Sequence, residues 1–316
     1  MFYIGIDLGG TNIKVSVVND RMEIMGSVSA PTDAKKGGDD VVDRMIKTVH
    51  EAVDTVGLTL GEINSVGVGC PGYIDDVNGI VRFAGNLYWR DFPLVSKLAS
   101  GLKGLPVYIG NDANVAALGE YLAGSAKNAS SAVIITLGTG VGTGIIIDGK
   151  IISGYDSGAS EMGHMVIHKG GRPCTCGREG CWEAYSSATG LISMSRDAME
   201  LGKDSAMWDL YRKEGKVSGR TAFRAADAGD QTAQGVIDEY ISYLACGIAN
   251  LINILQPEII SLGGGISKEG ENLLVPLREE VKKEVFAGHM VTEIRQCTLG
   301  NDAGLIGAAM LGAQME

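Results

Sequence analysis

The stretch Asp7-Leu8-Gly9-Gly10-Thr11 decides the fold class of this 316-residue chain. An apolar run at residues 3–7 ends there in an acid, and two glycines let the backbone turn tightly before Thr11 offers a hydroxyl and an amide. A turn of this composition can bind a phosphate group through its backbone amides. Apolar and small or polar residues then alternate over 13–18 and 23–29, which predicts a meander of antiparallel strands.

A second glycine-rich turn, Leu137-Gly138-Thr139-Gly140-Val141-Gly142, follows an apolar run at residues 132–137 and leads into Ile145-Ile146-Ile147. This continuation is a strand, whereas a dinucleotide-binding loop must open a helix, and no G-x-x-x-x-G-K-[ST] string occurs in the chain. Two such turns, one in each half of the chain, favour a nucleotide held by its phosphates from two sides. The alternative is a pair of tight hairpins with no ligand.

The remaining pattern is that of an α/β protein with two similar halves and a cleft between them. Apolar residues at helical spacing predict helices over about 39–56, 112–122, 231–255 and 303–311. Strands are predicted at about 63–69, 107–109, 132–137, 144–147 and 258–262. We expect a small domain of residues 1–113 plus a C-terminal helix at 300–316, and a large domain of residues 114–299.

Composition and charge narrow the classes of partner. With 45% hydrophobic residues the chain can build a substantial core, and its formal net charge of −11 gives no electrostatic support for binding nucleic acid. No run reaches the roughly 18 to 20 consecutive apolar residues of a membrane span. The chain also opens directly on strand residues without a basic, apolar leader. We therefore expect a cytoplasmic protein with neither a nucleic-acid nor a membrane partner.

Three of the six cysteines crowd into one loop. Cys174, Cys176 and Cys181 lie close together, and His164 precedes the first of them by ten residues. Three thiolates and one imidazole form a tetrahedral zinc set, whereas a disulfide could use only two of the sulfurs. We predict a structural Zn²⁺ in the loop 164–181, because four protein ligands leave no position for a reacting water.

Two carboxylates flank this zinc set. Glu161 and Glu183 stand on either side of it in the chain, so the metal would hold both near one place, where they could bind neighbouring hydroxyl groups. The ring nitrogen of His164 that does not bind zinc would be a fixed donor toward the same ligand. The alternative is a zinc knuckle that tacks down a loop and takes no part in chemistry.

Asn111 and Asp112 occupy the junction of a predicted strand and a predicted helix. From position alone, Asp112 is either a helix N-cap or a carboxylate exposed at a cleft. In the second case it could take the proton of a hydroxyl group that attacks a phosphoryl group. Asn86, within Gly85-Asn86-Leu87-Tyr88-Trp89, is on position alone a loop residue that satisfies local backbone.

Together these motifs resemble the ROK family (repressor, open reading frame, kinase) over nearly the whole chain. The resemblance rests on Asp7 to Thr11 with Lys14, on residues 136–144, on Gly163-His164 and on the cysteine-rich loop. It implies the two-domain, actin-like and hexokinase-like (ribonuclease H-like) α/β fold with an interdomain cleft. The implied activity is transfer of a phosphoryl group from ATP, with Mg²⁺, to the 6-hydroxyl of a hexose, with glucose preferred. A homodimer is also implied.

The resemblance assigns a role to each motif. Asp112 is the general base, Asp7 holds Mg²⁺ through water, and His164 both binds zinc and contacts the sugar. The implied sugar-binding residues are Asn86, Asn111, Asp112, Glu161, His164 and Glu183. The implied nucleotide-binding residues are Asp7, Gly9, Gly10, Thr11, Lys14, Gly138, Thr139, Gly140, Gly263, Gly264 and Gly265, with the last three flanking the adenosine.

Several alternatives stay open beside a glucose kinase. Ser160 stands where the family usually has glycine or another very small residue, which leaves fructose, mannose, N-acetylmannosamine and N-acetylglucosamine as rival sugars. A non-catalytic sugar-sensing protein on the same fold and a polyphosphate donor are also compatible with these motifs. A repressor is disfavoured, because family repressors carry an extra N-terminal DNA-binding segment and this chain begins on the first strand.

Overall fold

The computed structural model describes residues 1–314, so residues 315–316 of the predicted C-terminal segment lie outside the described residues. The chain packs as two compact units. Unit 1 comprises Met1–Ile134, Gly144–Ser160 and the chain from Thr298 onward, and unit 2 comprises Ile135–Thr143 and Glu161–Cys297. The domain boundary expected after residue 113 stays a prediction; by packing, residues 114–134 belong with unit 1.

The strands, in chain order, are β1 (Phe2–Leu8), β2 (Asn12–Asn19), β3 (Ile24–Pro31), β4 (Ile63–Cys70), β5 (Tyr73–Asp75), β6 (Ile80–Ala84), β7 (Trp89–Phe92), β8 (Val107–Asn111), β9 (Ser131–Leu137), β10 (Val141–Ile147), β11 (Lys150–Ile151), β12 (Ile259–Gly264) and β13 (Glu293–Gln296). The α-helices are α1 (Gly38–Thr55), α2 (Leu94–Gly101), α3 (Asp112–Ala123), α4 (Glu183–Ser186), α5 (Ala188–Leu201), α6 (Met207–Glu214), α7 (Thr221–Asp227), α8 (Gln231–Leu255), α9 (Glu271–Glu284) and α10 (Ala303–Met310).

Two five-stranded sheets repeat one strand order. The first has the order β3-β2-β1-β4-β8 and the second has the order β11-β10-β9-β12-β13. In the first sheet β1, β2 and β3 pair antiparallel, as the meander pattern predicts, and β4 and β8 continue in parallel. Each glycine-rich turn therefore joins the central strand of its sheet to the antiparallel neighbour, at the same topological position.

The side chains of β1 alternate between two packed layers. Ile4, Ile6 and Leu8 are buried in a core that also contains the apolar face of α1. On the opposite face lies α10, and a Cβ on Gly5 or on Gly67 would overlap a carbonyl oxygen of that helix. Glycine at these two positions thus lets α10 lie directly on β1 and β4.

A smaller sheet with the order β5-β6-β7 also belongs to unit 1. Its turns place Gly85–Leu87, a single 3₁₀ turn, beside the first glycine-rich turn. In the described part of the chain, no helix combines the length and the apolar character needed to cross a bilayer.

Candidate active site

The first glycine-rich turn is held by short backbone contacts within unit 1. The Gly9 N–H donates to the Asn12 carbonyl at 2.9 Å, and the Thr32 hydroxyl donates to the Gly9 carbonyl at 2.6 Å. A Cβ on Gly10 would lie 3.0 Å from the Cβ of Asn86. The structure therefore brings Asn86 against the turn, and glycine at residue 10 permits this approach. The sugar-binding role of Asn86 stays a prediction.

Asp7 lies at the end of β1, directly opposite Lys14 on β2. Burial raises the pKa of the Asp7 carboxyl, the Asp112 carboxyl raises it further, and the Lys14 ammonium lowers it. Lys14 in turn donates to Asp302 at 3.0 Å. Asp7 and Asp112, which are distant in sequence, thus form one acidic pair with a nearby cation.

Asp112 is the first residue of α3, but Asn111 is the residue that caps the helix. The Asn111 Oδ1 accepts the N–H groups of Ala113 at 2.9 Å and Asn114 at 3.3 Å, and its Nδ2 donates to the Gly72 carbonyl at 3.1 Å. The N-cap alternative for Asp112 is therefore wrong. Its Oδ1 accepts the N–H of the adjacent Ala113, and Oδ2 is left for another task.

The environment of Asp112 suits a base. Partial removal of water by the surrounding protein raises the pKa of its carboxyl. The Ala113 N–H, which donates to Oδ1 at 2.9 Å, opposes that shift. The residue remains exposed to solvent in unit 1, so a ligand can reach it. A reachable carboxylate with a raised pKa is a common property of general bases.

The second glycine-rich turn is braced by a side chain. The Glu183 Oε2 accepts the Val141 N–H at 3.0 Å, and its Oε1 accepts the Thr175 hydroxyl at 3.2 Å and the Cys174 thiol at 3.6 Å. A Cβ on Gly140 would overlap this carboxylate. Glu183 therefore links the turn to the cysteine loop, and its role toward a sugar stays a prediction.

His164, Cys174, Cys176 and Cys181 come together as the cysteine spacing predicts. Their candidate ligand atoms all lie within 4.8 Å of one another. The Cys176 and Cys181 sulfurs are 3.6 Å apart, and the His164 Nδ1 is 3.6 Å from the Cys174 sulfur. Tetrahedral Zn–S bonds of about 2.3 Å require sulfur separations of roughly 3.8 Å, so this donor set fits Zn²⁺.

The buried Cys181 thiol needs a cation to become a ligand, whereas a hydrogen bond from the Arg178 backbone lowers the pKa of the exposed Cys176 thiol. Burial raises the pKa of Cys181 to about 12, with the neighbouring thiols adding to the shift. A divalent cation favours the thiolate form strongly enough to reverse such a shift. Because Nδ1 of His164 faces the sulfurs, Nε2 is the ring nitrogen left to meet a ligand.

Glu161 and Ser160 precede the 3₁₀ turn Met162–His164. The His164 N–H donates to the Glu161 carbonyl at 3.1 Å, so the two residues are held together, and Glu161 is exposed. Ser160 has φ +69, a conformation that favours glycine, and its hydroxyl donates to the Ile152 carbonyl at 2.9 Å. Ser160 thus holds a left-handed backbone conformation that glycine would adopt without strain.

Gly263 and Gly264 are the last two residues of β12, and Gly265 follows the strand. Gly264 has φ +85, and a Cβ there would overlap the backbone of Leu137, the residue before the second turn. The predicted adenosine-flanking glycines thus lie beside the predicted phosphate turn within unit 2.

A cavity of about 610 Å³ adjoins the second turn in unit 2. It reveals lining residues that sequence reasoning missed: Arg172, Thr189, Ser193 and Asp197. The Thr189 hydroxyl donates to the Thr139 carbonyl at 2.8 Å, and Arg172 pairs with Asp197 at 2.9 Å. The sequence feature that could have predicted these lining residues is Ser187, a typical helix N-cap. Its side chain accepts the Gly190 N–H, so α5 begins beside the second turn.

Comparison with known proteins agrees with these features. The model of the ROK family matches residues 3–315. A glucokinase from Halalkalibacterium halodurans is 40% identical over 319 residues, covering 100% of this chain and 96% of the relative. A glucokinase from Thermotoga maritima is 37% identical over 310 residues, covering 98% of this chain and 96% of the relative.

A solved structure extends the likeness to three dimensions. The crystal structure of a ROK family glucokinase from Streptomyces griseus in complex with glucose and AMPPNP superposes with a TM-score of 0.82 at 34% identity. It covers 99% of this chain and 100% of that one. This likeness confirms the predicted α/β fold of the actin-like, hexokinase-like class.

Proposed function

The chain belongs to the ROK family, and on that premise we propose that it is an ATP-dependent glucose kinase that phosphorylates the 6-hydroxyl. The similarity to two glucokinases along their whole lengths supports sugar phosphorylation, and the structural relative that holds glucose and AMPPNP supports this pair of substrates. The observation that carries the proposal is Asp112, a reachable carboxylate with a raised pKa that is not used as a helix cap.

In this proposal Asp112 is the general base. It accepts the proton of the 6-hydroxyl while that oxygen forms a bond to the γ-phosphorus of ATP. The bond between the γ-phosphorus and the bridging oxygen breaks, and ADP leaves with those electrons. Asn111 holds Asp112 at the helix start, and we assign Asn111 and Asn86 to the sugar hydroxyls.

The two glycine-rich turns are proposed to bind phosphate oxygens through backbone N–H groups. Gly9, Gly10 and Thr11 would do so in unit 1, with Lys14 nearby, and Gly138, Thr139 and Gly140 would do so in unit 2. Gly263, Gly264 and Gly265 would flank the adenosine. Mg²⁺ bound with ATP would shield phosphate charge, and Asp7 would hold it through water.

The zinc set is proposed to orient sugar-binding groups. Zn²⁺ held by His164 and the three cysteines would be structural, and it would fix the imidazole so that Nε2 meets a sugar hydroxyl. Glu161 and Glu183 are assigned to the other hydroxyls. For Glu183 this requires one carboxylate oxygen to exchange the Thr175 hydroxyl for a sugar hydroxyl. The proposal also includes a homodimer, which the family resemblance implies, and the cytoplasmic location expected from the sequence.

A coupled ADP-release assay tests the substrate assignment. Zinc-loaded protein with Mg-ATP would be offered glucose, mannose, fructose, N-acetylglucosamine and N-acetylmannosamine, and glucose would be repeated with polyphosphate as donor. We expect the highest kcat/KM with glucose and ATP. A maximum on another sugar would reassign the substrate, and turnover with none of them would support the sugar-sensing alternative.

A further inference from the structure

Glu120 is a buried carboxylate to which the proposed reaction gives no role. It lies on α3, about two helical turns after Asp112, and is 1% exposed. Its Oε2 accepts the backbone N–H and the hydroxyl of Ser125, both at 2.8 Å, and the Thr298 N–H at 3.2 Å. Its Oε1 accepts the Leu299 N–H at 2.8 Å. Burial of a carboxylate is costly, and these four donors offset that cost.

Two of these donors, the N–H groups of Thr298 and Leu299, belong to a segment that leads to the acidic pair. Thr298 is the residue at which the chain returns to unit 1, and the following 3₁₀ turn ends at Asp302. Asp302 accepts Lys14 at 3.0 Å, and Lys14 stands opposite Asp7 in the β1–β2 pair. Glu120, which lies on the same helix as Asp112, is therefore connected through residues 298–302 to β1 and β2, where Asp7 and Lys14 lie.

The packing around this connection leaves little freedom. A Cβ on Gly119 would overlap the Ala303 carbonyl, and one on Gly307 would overlap the Val115 carbonyl, so α3 and α10 are in backbone contact. A Cβ on Gly124 would overlap the Glu120 carboxylate itself. Backbone contact fixes the separation of the two helices, and the Glu120 hydrogen bonds fix their relative position along the helix axes.

We propose that Glu120 is a positioning residue for phosphoryl transfer, which holds Asp112 in register with Asp7 and Lys14 by tying α3 to residues 298–302. The inference rests on the proposed function. A carboxylate suits this task because both of its oxygens accept hydrogen bonds. An amide would turn an N–H₂ group toward backbone donors, which costs the contact on that side.

The chain offers a matched control in unit 2. Asp230 also accepts four donors, namely the Ser205 hydroxyl and the N–H groups of Ala206, Thr232 and Ala233. It caps α8 and contacts no residue with a proposed role. Glu120→Gln and Asp230→Asn make the same chemical change in comparable hydrogen-bond networks.

The experiment compares both variants with wild type at a temperature well below their thermal midpoints. We expect both to melt at lower temperature, but only Glu120→Gln to lower kcat, on the order of 10- to 100-fold, because small misplacements of a reacting group have effects of this size. KM for glucose should stay within about threefold of wild type. Glu120→Asp, which keeps the charge and shortens the reach, should give an intermediate kcat and replaces the Gln variant if that one does not fold.

The outcomes separate this inference from the proposed function. If wild type turns over glucose and Glu120→Gln has the same kcat, the positioning role is overturned. An equal loss of kcat in Asp230→Asn would overturn it as well. Wild type without turnover overturns the proposed function instead. Positioning is then decided by NMR titration of the Asp112 carboxyl, which should shift in Glu120→Gln alone; an unchanged titration refutes it.

Discussion

The two glycine-rich turns occupy the same place in two sheets of the same order, yet they are supported differently. The turn at Gly9–Thr11 is held by a backbone hydrogen bond to Asn12 and by Thr32, the residue that follows β3 of the same sheet. The turn at Gly138–Gly142 depends on Glu183, which also contacts the cysteine loop. Repeated topology thus gives two glycine-rich turns, of which one is self-supporting and the other is braced by the loop that carries the candidate zinc ligands.

The surroundings of the two turns differ in chemistry as well. Near the first turn lie Asp7 and Asp112, two carboxyls with raised pKa values. Near the second turn lies a carboxylate that is already engaged by backbone and side-chain donors. We infer that proton transfer belongs to unit 1 and that ligand orientation by zinc belongs to unit 2. The role inferred for each unit can be tested separately.

The largest effect is expected for Asp112→Asn. The amide keeps the size and the hydrogen bond to Ala113 but cannot accept a proton, so kcat should fall by a factor of about 10² to 10⁴. Glucose affinity, measured by isothermal titration, should stay within a few fold, and zinc content should be unchanged. A kcat equal to that of wild type in this variant would refute the assignment of Asp112 as the base.

The same variant carries a prediction about pH. Because the folded pKa of Asp112 is raised, its ionisation in the folded state is disfavoured, and stability is lost as pH rises through that pKa. Asp112→Asn should therefore melt at a higher temperature than wild type at neutral pH, and the difference should vanish in acid. In wild type, the acid limb of kcat/KM should lie above the ordinary aspartate value of about 3.9.

A smaller effect is expected from removal of the metal. Cys176→Ser should lose zinc, raise amide hydrogen exchange over residues 138–142 and 174–183, and lower kcat/KM by about 10- to 100-fold. Exchange over residues 7–12 should not change, because that turn has its own supports. Cys246→Ser is the matched control, since Cys246 lies outside the zinc set. Equal exchange increases at both turns would contradict the comparison.

Local patterns predicted the parts of the fold that depend on neighbours in sequence. The meander, both turns, α1 and α8 follow from the spacing of apolar residues and glycines. The zinc set follows from three closely spaced cysteines and a histidine, which suit a tetrahedral metal site. The strands β5, β6 and β7 were not predicted, because each has only three to five residues; Pro71 and Gly72 precede β5, and Gly79 precedes β6. Helices α4 to α7 were not predicted either, and neither were α2 and α9.

Long-range features of the site were beyond sequence reasoning. Nothing in the sequence shows that Gly5 and Gly67 receive α10, or that residues 144–160 return to unit 1. Glu120 reads as an ordinary charged position on a helix until its donors from Thr298 and Leu299 are seen. Asn111, rather than Asp112, was identified as the cap only by its hydrogen bonds.

The most direct test of the central claim is to identify the product of glucose and Mg-ATP by phosphorus NMR. The proposed reaction places the phosphoryl group on the 6-oxygen, so the new phosphomonoester signal should be split by the two protons on carbon 6 and should grow as ATP is converted to ADP. A phosphoryl group on another carbon, or the appearance of inorganic phosphate alone, would contradict a glucose kinase that uses Asp112 as its base.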